Sequence, residues 1–197
     1  ALVAAVLAPI ATVWITGAFH EDGLADTADG LGGGLTRERA LEIMKDSRIG
    51  SYGTVALLLA LVLKVALLAL IAQRGAWPAA AALLAAHALS RLAPLVVMRS
   101  LPYVSDAAHA KAKPIAEAVT GRGFGIGCLW SIPALALIWQ AQGALGLIAS
   151  LLLWAAALAF MLRLLRRRLQ GFTGDTLGAT QQVCELALYL GFALAWP

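Results

Sequence analysis

The stretch GAFHEDGLADTADGLGGGLTRERALEIMKDSRIGSYG, residues 17–53, holds seven of the eleven acidic residues of a 197-residue chain. Four of the carboxylates, Glu21, Asp22, Asp26 and Asp29, fall within nine residues. The steps of four and three from Asp22 to Asp26 to Asp29 predict one shared helical face. Like charges so spaced repel each other unless a cation lies among them, and carboxylate oxygens suit Mg²⁺ or another hard divalent ion. The stretch therefore predicts an acidic helix that binds a divalent cation.

The composition places this stretch in a membrane protein. The chain is 61% hydrophobic and 13% charged, whereas soluble proteins average about 25% charged residues. Its net charge of +4 is explained by basic loops, and no basic stripe with interleaved aromatics indicates nucleic-acid binding. Cys128 and Cys184 lack the spacing of a disulfide framework or a zinc site, so they are interpreted as packing residues.

Apolar runs of near membrane-spanning length predict an all-α fold. We expect a polytopic integral membrane helical bundle of about six transmembrane helices, forming a single catalytic domain over residues 1–197. Thr36 is a candidate N-cap for an additional amphipathic helix at the cytoplasmic face. The chain begins inside an apolar run without Met, so a native N-terminal segment is expected to be missing. The predicted spans are 1–19, 52–72, 77–98, 124–139, 144–161 and 177–196.

The basic residues predict the orientation. Six spans place the loops at 20–50, 99–122 and 163–176 on one side, and these loops hold twelve of the fifteen Lys and Arg residues. The opposite loops hold only Arg74. By the positive-inside rule the three charged loops are cytoplasmic. The acidic stretch, the arginine run of 163–168 and Asp175 are therefore expected at one face.

Three cationic or titratable side chains, Lys64, His87 and Arg91, lie within the apolar runs. Charge at membrane depth is costly unless it is paired or faces a polar cavity. Lys64 is interpreted either as functional or as a snorkelling or ion-paired residue, and His87 as a packing residue. The planar guanidinium of Arg91 suits phosphate oxygens, and the alternative is a structural ion pair with Glu185.

Three segments carry a resemblance to a known family: HEDGLADTADG at 20–30, LEIMKDSRIGSYG at 41–53 and GFTGDTLGATQQ at 171–182. They resemble, in the same order, the signature blocks of the cobalamin synthase (adenosylcobinamide-GDP ribazoletransferase) family. The resemblance implies an Mg²⁺-dependent enzyme of the bacterial cell inner membrane. Such an enzyme joins adenosylcobinamide-GDP to alpha-ribazole or its 5'-phosphate and releases GMP, late in cobalamin biosynthesis.

With this resemblance, the residues receive expected roles. The metal ligands would be Asp22, Asp26, Asp29 and Asp175, and Glu21 would be either a further ligand or the base that accepts the ribazole hydroxyl proton. The diphosphate would be bound by Arg48 and Arg91, and Asp46 would orient an arginine or touch the nucleotide. The corrin amides or the ribazole base would be bound by Gln181, Gln182 and Glu185.

Other functional classes remain open at this stage. The acidic pattern also resembles that of CDP-alcohol phosphotransferases, which supports a membrane phosphotransferase of that type as an alternative. A transporter is a second alternative, although no internal repeat is visible. The expected partners are the two substrates and membrane lipid, without nucleic acid, and a homo-oligomer is left open.

Overall fold

The computed structural model describes residues 1–104 and 119–194, and over these residues the fold is all-α with seven helices. The predicted polar loop falls partly outside them, with Asp106, His109, Lys111, Lys113 and Glu117, as does the end of the last predicted span at 195–196. The helices are α1 (Leu2–Thr16), α2 (Phe19–Gly33), α3 (Arg37–Met44), α4 (Ser51–Ala72), α5 (Ala76–Ser100), α6 (Gly121–Arg168) and α7 (Gly174–Leu194).

Three of these helices, α4, α5 and α6, are long and apolar enough to cross a membrane. A fourth span results if α1 and α2, which meet at 90°, are counted as one bent element. Length and composition within the described residues therefore give three or four candidate spans rather than the predicted six. The polar residues of α7 explain why that helix is not among them: Asp175, Gln181, Gln182 and Glu185 all lie in it.

The long helix α6 is broken at Gly143. This glycine has φ 68° and ψ −166°, outside the helical region, and glycine adopts such angles because it has no Cβ. A straight helix of 48 residues would be about 72 Å long, more than twice the roughly 30 Å of a hydrocarbon core. The break confirms the predicted turn between 139 and 144, and α6 consists of two limbs.

The corner between α1 and α2 changes the first predicted span. Gly17 and Ala18 both have left-handed backbone angles, with φ near 60°, and the amide of Ala18 donates to the carbonyl of Val13 at 2.9 Å. The first helix therefore ends at Thr16 rather than at residue 19. The acidic stretch starts a new helix in a different direction, as its composition requires.

Helix α7 lies at the centre of the bundle, against α2, α4, α5 and α6. Its buried side chains Leu188, Tyr189 and Phe192 contribute to one apolar core, and a second core forms around Phe172 near its start. Alanines dominate the buried face of α5, which brings the helix backbones close together, as is usual in membrane bundles. They are Ala81, Ala82, Ala85, Ala86 and Ala93.

The charged segments lie at one end of the bundle. Arg168 at the end of α6 donates to the carbonyls of Leu31 (3.0 Å) and Gly34 (2.7 Å). The guanidinium of Arg37 donates a hydrogen bond to the carbonyl of Leu169 at 2.7 Å. The end of the acidic helix is thereby fixed to the arginine run, so the prediction that these segments share a face is confirmed.

At the opposite end of the bundle, two side chains donate hydrogen bonds to the end of α7. Arg74 donates to the carbonyls of Phe192 and Ala193, both at 2.7 Å. Gln142 donates to the carbonyl of Phe192 at 2.7 Å as well. These bonds satisfy carbonyls in the last turn of α7 that have no partner within the helix.

Candidate functional site

The four carboxylates of the acidic helix α2 differ in burial. Glu21 and Asp29 are buried, Asp26 is half-buried and Asp22 is exposed. The predicted common face of Asp22, Asp26 and Asp29 therefore straddles the edge between α2 and its neighbours.

The start of α7 lies against this row. A Cβ placed on Gly23 would come within 2.6 Å of the carbonyl oxygen of Asp175, so the two backbones are in direct contact. The Asp26 carboxylate interacts electrostatically with those of Asp22, Asp175 and Asp29. The structure thus brings Asp175 to the acidic row of α2, from which the sequence separates it by about 150 positions.

Asp175 is held by a capped helix start. The amide of Thr173 donates to the hydroxyl of Thr176 at 2.9 Å, and the amide of Thr176 donates to the hydroxyl of Thr173 at 3.3 Å. This reciprocal pattern satisfies amides at the helix N-terminus. The Thr173 hydroxyl also lies 3.4 Å from Asp175 Oδ2. The cap fixes the first turn of α7, and with it the position of the Asp175 carboxylate.

Asp29 caps another helix. Its Oδ2 accepts from the amide of Gly50 at 2.7 Å, and its Oδ1 accepts from the amide of Gly53 at 2.8 Å. Both amides belong to the start of α4, where backbone donors lack partners within the helix and the helix dipole favours a negative charge. The sequence suggested Asp29 as a metal ligand, whereas the structure engages both of its oxygens in capping.

The carboxylates do not converge into a ready-made metal site. Within residues 1–104 and 119–194, no group of three or more His, Cys, Asp or Glu side chains is placed to hold a metal ion. Asp22, Asp26 and Asp175 nevertheless provide oxygen donors of the type that Mg²⁺ prefers. Their assignment as ligands remains a prediction.

A buried polar cluster lies beside the acidic row. Lys64 on α4 is 2% exposed and Glu185 on α7 is fully buried. The Lys64 ammonium donates to Gln182 Oε1 at 2.8 Å and lies 3.3 Å from Glu185 Oε2. The sequence indicated an ion pair as one interpretation of Lys64, and it offered Glu185 as a possible partner of Arg91 only in the alternative in which Arg91 is structural. The structure pairs Glu185 with Lys64.

The remaining bonds of the cluster join α7 to α2 and α5. Gln181 donates to Ser90 Oγ (2.9 Å) and Glu185 Oε2 (2.8 Å). Tyr189 donates to Glu185 Oε1 at 3.0 Å. Gln182 donates to Glu21 Oε1 and to Gln181 Oε1, both at 3.0 Å.

Three of the residues in this cluster were expected to bind the corrin or the ribazole base. Gln181, Gln182 and Glu185 are at most 2% exposed and bond to protein groups. They are therefore not available to a ligand at the surface in this structure. The spacing of residues along α7 could not predict this burial, because the hydrogen-bond partners Lys64 and Ser90 lie on other helices.

Arg91 lies at the outer edge of the cluster. Its Nη1 donates to the carbonyl of His87 at 2.8 Å and lies 3.3 Å from His87 Nδ1. His87 Nδ1 is also 3.6 Å from Glu185 Oε1. Arg91 itself is exposed and lines a cavity of about 200 Å³ together with Trp130 and Ser131. It is thus open to an anionic ligand, and it is not the partner of Glu185.

The second predicted phosphate ligand, Arg48, is in the loop that follows α3. It forms a two-pronged pair with Asp46, with Nε 3.0 Å from Oδ1 and Nη2 2.6 Å from Oδ2. The Arg48 hydrogen bonds lower the pKa of Asp46 to about 2. The Arg48 side chain is 87% exposed, and the pair lines a cavity of about 250 Å³ that reaches Asp29 and Tyr52.

Comparison with known proteins finds similar sequences over nearly the whole chain. A family model described as Cobalamin-5-phosphate synthase matches residues 1–193. An adenosylcobinamide-GDP ribazoletransferase of Polaromonas naphthalenivorans is 52% identical over 206 residues, covering 98% of this chain and 74% of the relative. Relatives with the same name from Shewanella amazonensis and Rhizobium johnstonii are 46% and 47% identical, each covered over 74% of its length. No solved structure matches the chain.

Proposed function

The chain belongs to the cobalamin-5-phosphate synthase family, and we propose that it is an adenosylcobinamide-GDP ribazoletransferase of cobalamin biosynthesis. The observation that carries the proposal is the contact of the acidic helix α2 with Asp175 at the start of α7. This contact joins two of the segments whose sequence resembles the family. Membership of the family favours the transferase over the transporter and CDP-alcohol phosphotransferase alternatives.

The reaction is a displacement at phosphorus. The ribose hydroxyl oxygen of alpha-ribazole, or of its 5'-phosphate, forms a bond to the phosphorus that carries the cobinamide. The bond from that phosphorus to the GMP oxygen breaks, and the hydroxyl proton passes to a base on the protein. Catalysis of such a transfer consists mainly of positioning and of stabilising negative charge.

Glu21 is the residue that we assign as the base. Its Oε2 is buried and has no hydrogen-bond partner among the described residues, while Oε1 accepts from Gln182. A buried carboxylate oxygen without a donor is costly, and a substrate hydroxyl would offset that cost. The neighbouring Asp22 is exposed, so Glu21 lies one residue from the surface that the substrate would reach.

Three carboxylates fit the Mg²⁺ that we propose as cofactor. Asp22, Asp26 and Asp175 face one region, and their mutual repulsion would be relieved by a cation. Asp29 fits less well, because both of its oxygens accept backbone amides. When bound, the ion would supply positive charge to the diphosphate and to the leaving phosphate.

Two arginines are proposed to bind the diphosphate. Arg91 is exposed beside its cavity, and Arg48 is exposed and held by Asp46. A guanidinium binds phosphate oxygens through two parallel bonds. Asp46 would orient Arg48 until the substrate arrives.

We further propose six membrane crossings, in which the two limbs of α6 cross separately and α1 and α7 supply the outer two. The charged end would face the cytoplasm of a bacterial inner membrane. A reporter fused near Arg167 should then read cytoplasmic, and one inserted near Arg74 should read periplasmic. The reverse pattern would overturn this orientation.

Turnover in detergent tests the function directly. Purified protein should release GMP from adenosylcobinamide-GDP only when alpha-ribazole or its 5'-phosphate is present, and the two acceptors should be compared side by side. EDTA should abolish the release and Mg²⁺ should restore it. Absence of GMP release with both acceptors in the presence of Mg²⁺ would contradict the proposal.

A further inference from the structure

We propose that Lys64 is a positioning residue for the transfer. It acts through the side-chain amide of Gln182, which holds the Glu21 carboxylate so that one oxygen is bound and the other is free. The inference rests on the proposed function, in which Glu21 accepts the hydroxyl proton. Lys64 itself touches no substrate in this scheme.

The argument starts from the donors and acceptors of an amide. A lysine ammonium can only donate, so the oxygen of the Gln182 amide must face Lys64. The 2.8 Å contact between Lys64 Nζ and Gln182 Oε1 shows this orientation. The NH₂ group of Gln182 then points the other way, where it has two acceptors, Glu21 Oε1 and Gln181 Oε1, both at 3.0 Å. Lys64 is thus the donor for the Gln182 oxygen, and with the two acceptors of the NH₂ group it fixes which end of the amide meets Glu21.

Without Lys64, the Gln182 oxygen would be a buried acceptor that has lost its donor, while the NH₂ group would keep its two acceptors. The amide would then lose one of the three contacts that fix it. The support that Gln182 gives to the Glu21 carboxylate would be weakened. The contact therefore transmits orientation from α4 to α2 through α7.

Among the described residues, the two side-chain amides of the cluster have no spare hydrogen that could replace this contact. Each of the two hydrogens on the Gln182 amide has an acceptor, and the Gln181 amide likewise donates twice, to Ser90 and Glu185. The unpartnered acceptor at the edge of the cluster is Glu21 Oε2, which is buried. A cluster saturated in this way holds a single arrangement and leaves that oxygen for a ligand.

The geometry distinguishes this role from a simple structural ion pair. The Lys64 ammonium is closer to the neutral amide (2.8 Å) than to the Glu185 carboxylate (3.3 Å). Bonds between oppositely charged groups are usually the shorter ones, at about 2.7–2.9 Å. Glu185 also accepts from Gln181 and Tyr189, so it does not depend on Lys64 alone. The shortest contact of Lys64 is the one that orients Gln182.

The test separates charge pairing from positioning. The double variant Lys64→Met/Glu185→Gln removes both members of the buried ion pair together, so neither is left without the other. If Lys64 positions Glu21, kcat per folded molecule should fall by about 10- to 100-fold, the usual effect of removing an orienting partner. The KM for adenosylcobinamide-GDP should change by less than about twofold, because substrate contacts are untouched. Wild-type kcat in this variant would overturn the inference.

A second variant reaches the same contact without touching the ion pair. Gln182→Met should lower kcat to a similar extent, and combining it with the double variant should add little, since all of these changes break one chain of contacts. Gln142→Met is the matched control, because it also removes an amide donor, but at the far end of the bundle. Its kcat per folded molecule should remain that of the wild type. Unchanged kcat in Gln182→Met, or a multiplicative loss on combination, would contradict the inference.

Glu21→Gln distinguishes failure of this inference from failure of the proposed base. If Glu21→Gln turns over normally, Glu21 is not the base and both proposals fall. If Glu21→Gln is inactive while the Lys64 and Gln182 variants turn over normally, only the positioning role falls. Melting temperatures measured on the same samples give the folded fraction for each comparison.

Discussion

Glu21 and Asp22 are neighbours on α2, yet their surroundings differ completely. The Glu21 side chain points into the bundle, where Gln182 donates to it, whereas Asp22 is exposed. The same division runs through the whole charged region: Lys64 and Glu185 are enclosed by the helices, and Arg48 and Asp46 face outward. Charges inside the bundle are positioned by bonds from several helices. Charged groups outside the bundle are accessible to a ligand.

This difference teaches that the face of a helix, more than the residue type, decides what a carboxylate can do. Asp29 belongs to the same acidic row as Asp22, but burial against the start of α4 turns it into a cap.

The largest effect is expected at the exposed Asp22 and the half-buried Asp26. Asp22→Asn or Asp26→Asn should lower kcat by about 10³-fold, because each removes a charge that would hold the cation. The melting temperature should stay close to that of the wild type, since Asp22 is exposed and Asp26 is relieved of repulsion. GMP release and thermal unfolding are measured on the same detergent-purified samples. Glu38→Gln on exposed α3 is the matched control, and normal turnover in either Asp variant would refute the metal assignment.

Arg91→Lys should have the next largest effect. Lysine keeps the charge but loses the planar fork, so kcat/KM should fall by about 10²-fold. Stability should change little, because the exposed Arg91 bonds only to His87 among the described residues. Steady-state kinetics and a melting curve check both parts. A lowered melting temperature with normal turnover per folded molecule would show that Arg91 has a structural role and does not bind the diphosphate.

Asp29→Asn should act on stability. The new NH₂ group would face an amide donor of Gly50 or Gly53, which leaves a buried donor without an acceptor and costs about 1–3 kcal/mol. For a chain of this size the melting temperature should fall by roughly 2–12 °C. Turnover per folded molecule should persist. If turnover is lost while the melting temperature holds, Asp29 is a ligand after all.

The smallest effect is expected at the partly exposed Asp46. Arg48 lowers its pKa to about 2, so the pair is present above the ordinary aspartate range and is lost only as pH falls towards that value. The difference in melting temperature between wild type and Asp46→Asn should therefore be small and constant from about pH 8 to about pH 5. A difference that disappears across this range would contradict the pairing.

The sequence predicts much of the outside of this molecule and little of its interior. Thr36 was expected to cap α3, and its side chain accepts from the amide of Arg39 at 3.2 Å. The amphipathic pattern likewise places Met44 inward and Glu42 outward. These features depend on residues three or four positions apart, which a single sequence displays.

The buried contacts could not be predicted from the sequence in the same way. Lys64 and Gln182 are 118 positions apart, and hydrophobic periodicity does not report which polar residues meet across helices. The cost of a lysine at membrane depth correctly indicated that Lys64 needs a partner. It could not identify which of several polar residues on α7 would supply one. The helix break at Gly143 was visible as a short polar turn, whereas the two left-handed residues at the α1–α2 corner gave no signal beyond Gly17.

The enclosed position of Lys64 also has a consequence for how the protein is made. Because α7 is synthesised after α4, Lys64 enters the membrane before Gln182 and Glu185 exist. At 5–20 residues per second, the 118 residues between Lys64 and Gln182 take roughly 6–24 s to translate. During that interval the ammonium of α4 and the carboxylate of Glu21 have no partner on α7. Helix α7 therefore completes this cluster by placing Glu185 beside Lys64 and Gln182 beside Glu21, and a chain that stops before α7 would present the charge of Lys64 to quality control.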